Sequence, residues 1–104
     1  MDQCFYVLFV KGVNALSTSL FTGDSLKEVV QKFGKTEGIT SFEDILAVLG
    51  EYDSDGKSCV LTEYTVSHGF LSHSHLEDIV EKKFRITDSK IIVERTGEVV
   101  NPAY

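Results

Sequence analysis

Residues 25–34 carry an apolar stripe that constrains the fold more than any other feature of the sequence. Four side chains fall at helical spacing: Leu26, Val29, Val30 and Phe33. Ser25, followed three residues later by Glu28, forms a capping box that starts a helix, and Gly34 supplies the left-handed residue that often ends one. Such a stripe must be buried, and one face of an antiparallel sheet is the natural place for it.

The segments around this helix predict the strands of that sheet. Cys4–Val10 is continuously apolar, as in a strand buried on both faces. A turn leads from it into Leu16–Phe21, where a period of two predicts a half-exposed partner strand and hence a hairpin. Cys59–Val66 is a strong strand, and a final strand or hairpin is expected over Phe84–Arg95, with its turn at Asp88.

The segment from Thr40 to Tyr52 fits two structures. Thr40 with Glu43 could cap a helix that ends at Gly50 and buries Phe42, Ile45, Leu46 and Leu49. Equally, Ala47–Tyr52 could be a strand that leads into a turn at residues 53–56. We favour a short helical turn at residues 41–45 followed by a strand, because Cys59–Val66 needs an antiparallel mate.

A second helix is predicted before Phe84. Ser74 with Glu77 repeats the capping box, and Leu76, Ile79 and Val80 repeat the stripe. The sequence therefore predicts an α+β fold of order ββα-ββα-β, an antiparallel sheet of about five strands with two amphipathic helices on one face. Residues 1–96 are expected to form one α+β domain and residues 97–104 a flexible tail.

Acidic residues are concentrated in the middle of the chain. The segment from Glu37 to Glu81 contains ten acidic residues and one basic residue, Lys57. Its charge is therefore −9, in a chain of net charge −6. Because nucleic-acid affinity comes from Lys and Arg that displace counterions, direct nucleic-acid binding is not expected. No apolar run approaches the roughly 20 residues that cross a bilayer, and the start lacks the features of a signal peptide. A cytoplasmic protein without membrane contact is the resulting prediction.

The sequence carries no strong chemical motif. His68, His73 and His75 lie within eight residues and are weak candidates for a zinc site, because no Cys pair or metalloprotease motif accompanies them. Residues 51–62 resemble part of a calcium-binding EF-hand loop but lack its final Glu. Motifs for serine nucleophiles and phosphate loops are also missing. We therefore expect no catalytic residues and no cofactor, with a metal-binding domain or a small enzyme as the alternatives.

The two cysteines, Cys4 and Cys59, both lie in apolar, strand-like runs. Free Cys is among the most buried residue types and behaves as a small apolar side chain. Both are therefore expected to be buried free thiols; the alternative, a disulfide between them, would need an oxidising compartment that nothing else in the sequence indicates.

These observations predict a small acidic protein that binds a basic surface of a partner protein as a regulator or inhibitor, of the kind often encoded by viruses and phages as accessory proteins. Opposite potentials would speed encounter, and Tyr side chains would anchor the contact. The predicted contact residues are Glu51, Tyr52, Asp53, Asp55, Glu63, Tyr64, Glu77, Asp78 and Glu81. The chain is expected to be a monomer, or a homodimer that forms by strand addition at Lys90–Val93.

Overall fold

A computed structural model describes residues 3–11, 18–54, 57–68 and 77–101, with side chains described for all of these except residues 67, 68, 77 and 78. The elements are β1 (Gln3–Lys11), β2 (Thr18–Gly23), α1 (Leu26–Glu37), α2 (Phe42–Asp53), β3 (Cys59–His68), β4 (Glu77–Thr87), β5 (Lys90–Val93) and β6 (Val99–Val100). The strands form one antiparallel sheet of order β2-β1-β3-β4-β5-β6. The predicted α+β class, with two helices on an antiparallel sheet, is confirmed, and the described sheet has six strands rather than five.

The core lies between the two helices and one face of the sheet. The register sets Leu8 opposite Leu61, Leu61 opposite Phe84, and Phe84 opposite Val93. Residues opposite one another share a face, so these side chains form a buried row across four strands. The stripes of α1 and α2 close over the row and complete one apolar cluster.

Helix α1 starts as predicted and ends later. The Ser25 hydroxyl accepts a hydrogen bond from the Glu28 amide at 3.1 Å, and the Glu28 carboxylate accepts one from the Asp24 amide. The helix continues through Gly34 to Glu37, and Gly38, with φ of 73°, is the left-handed residue that ends it. Gly34 has a different role, because it is buried against α2.

Helix α2 resolves the ambiguous segment as a full helix, so the predicted strand at Ala47–Tyr52 is wrong. Its N-cap is Ser41, whose hydroxyl accepts from the Asp44 amide at 3.5 Å, rather than Thr40. The helix passes Gly50 because its last turn has tertiary partners. Tyr52 packs edge-on against Phe33, with ring centroids 6.4 Å apart, and Asp53 is held by β4.

Strand β4 occupies part of the segment in which the second helix was predicted. Leu76, Ile79 and Val80 have helical spacing, but Ile79 and Val80 are 59% and 60% exposed, so the pattern does not mark a buried stripe. The segment instead pairs with β3 along its length, from His68 opposite Glu77 to Leu61 opposite Phe84. Among the described residues the second helix is therefore α2, and the order of the elements is ββααββββ.

The remaining strand predictions have mixed outcomes. β1 and β2 form the expected hairpin, and the turn between β4 and β5 has Asp88 and Ser89 at positive φ, as a tight two-residue hairpin requires. Lys90–Val93 is not an edge strand, because β5 lies between β4 and β6. β6 also places Val99 and Val100, from the predicted tail, in the sheet.

The two helices α1 and α2 contain 12 residues each, and neither helix is long and apolar enough to span a bilayer.

Substitution by Ala should change the stability of the fold in opposite directions at two glycines that lie inside helices. A Cβ on Gly34 would lie 2.2 Å from Cδ1 of Ile45, whereas a Cβ on Gly50 meets nothing closer than 3.6 Å. We expect Gly34→Ala to destabilise the fold by about 1–3 kcal/mol through overpacking. Gly50→Ala should stabilise it by about 0.4–1 kcal/mol, because Ala loses less backbone entropy in a helix.

Urea unfolding of both variants checks this prediction. A Gly34→Ala protein as stable as the Gly50→Ala protein would contradict the close contact between α1 and α2. The cost of Gly34→Ala should also shrink in an Ile45→Ala background, since that change removes the atoms that the new methyl group meets.

Candidate functional site

The end of α2 buries a carboxylate that holds the helix to β4. Asp53 is 3% exposed, and its oxygens accept from Nε of Arg85 at 2.9 and 3.1 Å. Its Oδ2 also accepts from the Ile86 amide at 3.0 Å, and its backbone carbonyl accepts from Nη2 of Arg85 at 3.0 Å. These bonds, led by those to the carboxylate, raise the pKa of the Arg85 guanidinium above its usual value.

Asp53 takes the place of a strand at this point of the sheet. The ladder between β3 and β4 reaches Leu61 opposite Phe84, and the Ile86 amide beyond it has the carboxylate as its acceptor. A buried backbone N–H without a hydrogen-bond acceptor is costly. The Asp53 carboxylate supplies the acceptor at a position where the ladder with β3 has ended. Because its charge and its acceptor positions are engaged within the chain, Asp53 has a structural role rather than the partner-binding role predicted from sequence.

Removing this carboxylate should loosen α2. Asp53→Ala leaves the Ile86 amide without an acceptor and Arg85 without its counter-charge, and we expect a loss of about 3 kcal/mol in the free energy of unfolding. Asp53→Asn, which keeps an acceptor, should lose less. The matched control is Glu51→Ala, two residues away and exposed, for which we expect a change below about 0.5 kcal/mol. Equal effects at the two positions in urea unfolding would contradict the assignment.

The outer side of α2 is acidic. Glu43, Asp44 and Glu51 are exposed. Glu51 follows Glu43 by eight residues and Asp44 by seven, so all three lie on one side of the helix, around exposed Ala47. We call Glu43, Asp44 and Glu51 the acidic α2 face. No Lys or Arg occurs in residues 36–56, and no salt bridge between described residues engages any of the three carboxylates. Within the described part of the chain, this face therefore presents negative charge that no salt bridge compensates.

A groove of about 650 Å³ runs beside this face, between α2 and the β4–β5 hairpin. Leu46 and Ala47 of α2 and Ile92 of β5 give it apolar walls, while Glu51 and Asp88 add carboxylates to its lining. Arg85 also lines the groove, but its charge is paired with Asp53. The groove thus combines apolar surface with two carboxylates that no salt bridge among the described residues engages.

The other predicted contact residues whose side chains the structure describes do not join this surface. Tyr52 is half-buried and packs against the core, and Glu63 accepts a hydrogen bond from the Tyr6 hydroxyl at 2.8 Å. Tyr64 and Glu81 lie opposite one another on the sheet face that carries Phe5. Asp55 and the side chains of Glu77 and Asp78 are outside the described part of the chain. Of the six predicted residues whose side chains are described, only Glu51 lies on the acidic α2 face.

Sequence reasoning missed Glu43 and Asp44 because it assigned the acidic residues to a hairpin. The signal that would have found them is the stretch without a cation at residues 36–56, combined with the helical option for the same segment. On a helix, Glu43 and Glu51 share a side; in the favoured turn-and-strand alternative they would not.

Tyr6 and Glu63 form a hydrogen-bonded pair between neighbouring strands. Partial burial, and then the hydrogen bond to Glu63, raise the pKa of Tyr6 well above its usual range. The phenol therefore stays protonated near neutral pH and serves as the donor that ties β1 to β3. Among the described residues, no buried polar side-chain atom is without a hydrogen-bond partner.

The metal-site candidates fall largely outside the described residues. His73 and His75 are not described, and His68 is described only through its backbone in β3. The resemblance to a calcium loop includes residues 55 and 56, which are also outside. Within the described ranges, no group of three or more His, Cys, Asp and Glu side chains is placed to hold a metal ion.

The two cysteines have different environments. Cys59 is buried as predicted, but Cys4 is exposed near the start of β1. The register sets Cys59 opposite Val10, which lies six residues after Cys4 in β1. The two cysteines are therefore about 20 Å apart along the strand direction. Both are free thiols, and burial raises the pKa of the Cys59 thiol to about 12.

This difference should appear in thiol reactivity and in alkaline stability. Ellman's reagent at about pH 8 should modify only Cys4 in the folded protein, because the thiolate is the reactive form. The folded pKa of Cys59 lies above the unfolded value of 9.0, so its contribution to stability is complete below pH 9 and is lost between pH 9 and about 12.

Urea unfolding at about pH 8 and about pH 11 measures this loss. Cys59→Val, which cannot ionise, should lose less stability over that interval than the unchanged protein. Equal losses in the two proteins, or two thiols modified in the folded state, would contradict the burial of Cys59.

The sheet face opposite the helices is partly apolar. Phe5 and Tyr64 stack on it with ring centroids 5.2 Å apart, and Val7, Phe9 and Val60 on the same face are half-buried. The prediction that Cys4–Val10 is buried on both faces therefore holds only for Leu8 and Val10 on the helix-facing side, because Cys4 on that side is exposed.

No protein-family model, curated protein or solved structure matches the chain.

Proposed function

We propose that this chain is a non-enzymatic interaction domain that binds a basic surface of a partner protein through the acidic α2 face and the adjoining groove. The observation that carries the proposal is the set of three exposed carboxylates, Glu43, Asp44 and Glu51, on one side of a helix in a segment without a cation. Their field is not cancelled by a salt bridge within the described residues.

The fold supports this proposal by fixing where the charges lie. α2 is buried along Ile45, Leu46 and Leu49 and is held at its end by Asp53, so the acidic α2 face is presented on a rigid element. A surface fixed before binding loses little conformational entropy when it binds. Exposed carboxylates then speed the encounter with a positive surface, and the apolar walls of the groove add affinity.

The proposed mode of action is competition. A basic surface covered by the acidic α2 face is closed to other anionic ligands, so the chain acts as a regulator or inhibitor of its partner. A cytoplasmic location forms part of the proposal, and two free cysteines fit a reducing compartment.

A matched pair of charge variants tests the proposal. Glu43→Gln/Asp44→Asn/Glu51→Gln neutralises the acidic α2 face, and Asp24→Asn/Glu94→Gln/Glu98→Gln removes the same charges from exposed positions elsewhere. Tagged proteins are used to capture partners from lysate at low salt and at about 1 M salt, with identification by mass spectrometry. We expect one partner with a basic surface, held by the unchanged protein and the control and released by salt. The face variant should bind it about tenfold more weakly, from three exposed charge contacts of about 0.5 kcal/mol each.

Binding of that purified partner, measured by calorimetry, completes the test. Equal affinity of the two variants would show that the acidic α2 face is not the contact surface. Capture of no partner at low salt by the unchanged protein would also contradict the proposal. Thermal unfolding of each variant confirms that the comparison is made between folded proteins.

A further inference from the structure

Helix α1 carries a basic side that the proposed function does not use. Lys27, Gln31 and Lys35 are exposed and follow one another at intervals of four residues, so they lie on one side of the helix. We call Lys27, Gln31 and Lys35 the basic α1 face. No salt bridge between described residues engages either lysine. The face therefore offers two positive charges to a negatively charged surface.

The acidic side chains of α1 do not cancel this charge. Glu28 forms an ion pair with Lys32 at 3.9 Å, and Nζ of Lys32 also donates to the Thr22 carbonyl of β2. Glu37 follows Lys35 by two residues, and side chains two apart on a helix do not face one another. The basic α1 face thus keeps its charge within the helix that carries it.

The basic α1 face and the acidic α2 face have the same spacing of charge. Lys27 and Lys35 are eight residues apart, and so are Glu43 and Glu51, which corresponds to about 12 Å along each helix. When one face is laid on the other, both lysines can therefore meet a carboxylate at the same time.

The middle of each face allows a close approach. Ala47, midway between the outer carboxylates of α2, has a small side chain, whereas Gln31, midway between the two lysines, is long and uncharged. Helices pack by fitting the side chains of one into the gaps between those of the other. The two faces therefore match in shape at their centres as well as in charge at their ends.

Both faces belong to one layer of the molecule. α1 packs on β1 and β2, α2 packs on β3 and β4, and the two helices contact one another. Each face lies on the side of its helix away from the buried stripe, and hence away from the sheet. The layer therefore has a positive half beside a negative half. Such a surface is complementary to a second copy of itself, turned about a twofold axis that runs between the helices.

We propose that two copies of the chain dimerise through their helices, with the basic α1 face of each copy on the acidic α2 face of the other. The twofold axis repeats the contact, so the interface contains two sets of paired lysines and carboxylates. Opposite potentials that meet in this way favour the arrangement. Stacking of α1 on α1, or of α2 on α2, is disfavoured because like charges would meet.

The size of the contact predicts a weak and reversible dimer. Helices of 12 residues are about 18 Å long, and packed neighbours lie about 10 Å apart, so the layer measures about 18 by 20 Å. This is a small area for a protein–protein interface, and exposed ion pairs are screened by salt. We therefore expect the dimer at low salt and high protein concentration, and its dissociation as the salt concentration rises.

The dimer would regulate the proposed function, and the inference rests on that function in one respect, namely that the acidic α2 face binds positive charge. In the dimer this face is covered by α1 of the second copy. A partner protein must then displace the second copy in order to bind. The chain would thus cover its own binding surface until a stronger basic surface is present.

Charge reversal on either helix tests this dimer. Lys27→Glu/Lys35→Glu makes both faces acidic, and Glu43→Lys/Glu51→Lys makes both faces net positive, so each variant alone should dimerise at least tenfold more weakly than the unchanged protein. An equimolar mixture of the two variants restores opposite charges at both contacts. It should therefore dimerise within about threefold of the unchanged protein.

Two control variants carry the same changes of net charge at exposed positions outside the helices. They are Lys11→Glu/Lys90→Glu and Glu94→Lys/Glu98→Lys. Both should leave dimerisation unchanged, and a loss of the dimer as large as in the helix variants would contradict the proposed contact.

Sedimentation equilibrium of the full chain at about 20 mM and about 500 mM salt gives the masses, with 11.6 kDa expected for the monomer. Far-UV circular dichroism confirms that each variant is folded. The inference is overturned if the unchanged protein is monomeric at about 500 μM in the low-salt buffer. It is also overturned if the mixture dimerises no more tightly than either variant alone.

The variant Lys27→Glu/Lys35→Glu separates this inference from the proposed function, because it keeps the acidic α2 face. It should be monomeric and should bind the purified partner at least as tightly as the unchanged protein. A chain that binds its partner through the acidic α2 face and is monomeric at low salt would contradict the dimer alone. A dimer that the mixture restores, with no partner captured, would contradict the proposed function alone.

Discussion

The buried Asp53 carboxylate is the interaction on which the arrangement of this molecule depends. It joins the end of α2 to β4 through Arg85 and the Ile86 amide, at the place where pairing with β3 has ended. A carboxylate buried in this way is costly unless it is paired and hydrogen-bonded, and here it has both kinds of partner. The helix is thereby fixed on the sheet with its apolar side in the core and its charged side in water.

This constraint also divides β4 into two parts with different surroundings. Near Ile86 the strand is enclosed by β5, by the core and by the end of α2. Near Ile79, β3 is its one neighbouring strand among the described residues, and the side chains of Ile79 and Val80 are more than half exposed. The two ends of β4 therefore differ in how far the described structure encloses them.

The sequence predicted correctly those features of the fold that depend on interactions between residues close together in the chain. The capping box at Ser25, the β1–β2 hairpin and the turn at Asp88 each depend on neighbours in sequence, and all three are observed. The identity of α2 and β4 depends on contacts across more than 30 residues, such as Asp53 with Arg85, which no periodicity displays. The candidate site was missed for the same reason, since Glu43 and Glu51 share a surface only once residues 42–53 are known to be helical.

Amide hydrogen exchange at Ile86, followed by NMR, tests the central interaction most directly. If Asp53 accepts from this amide in a buried site, Ile86 should exchange as slowly as the amides of the β1–β3 ladder, and its exchange should quicken in Asp53→Ala while that of Leu8 changes much less. An Ile86 amide that exchanges as fast as the exposed Ser89 amide would contradict the account, because α2 would then not be held to β4 by Asp53.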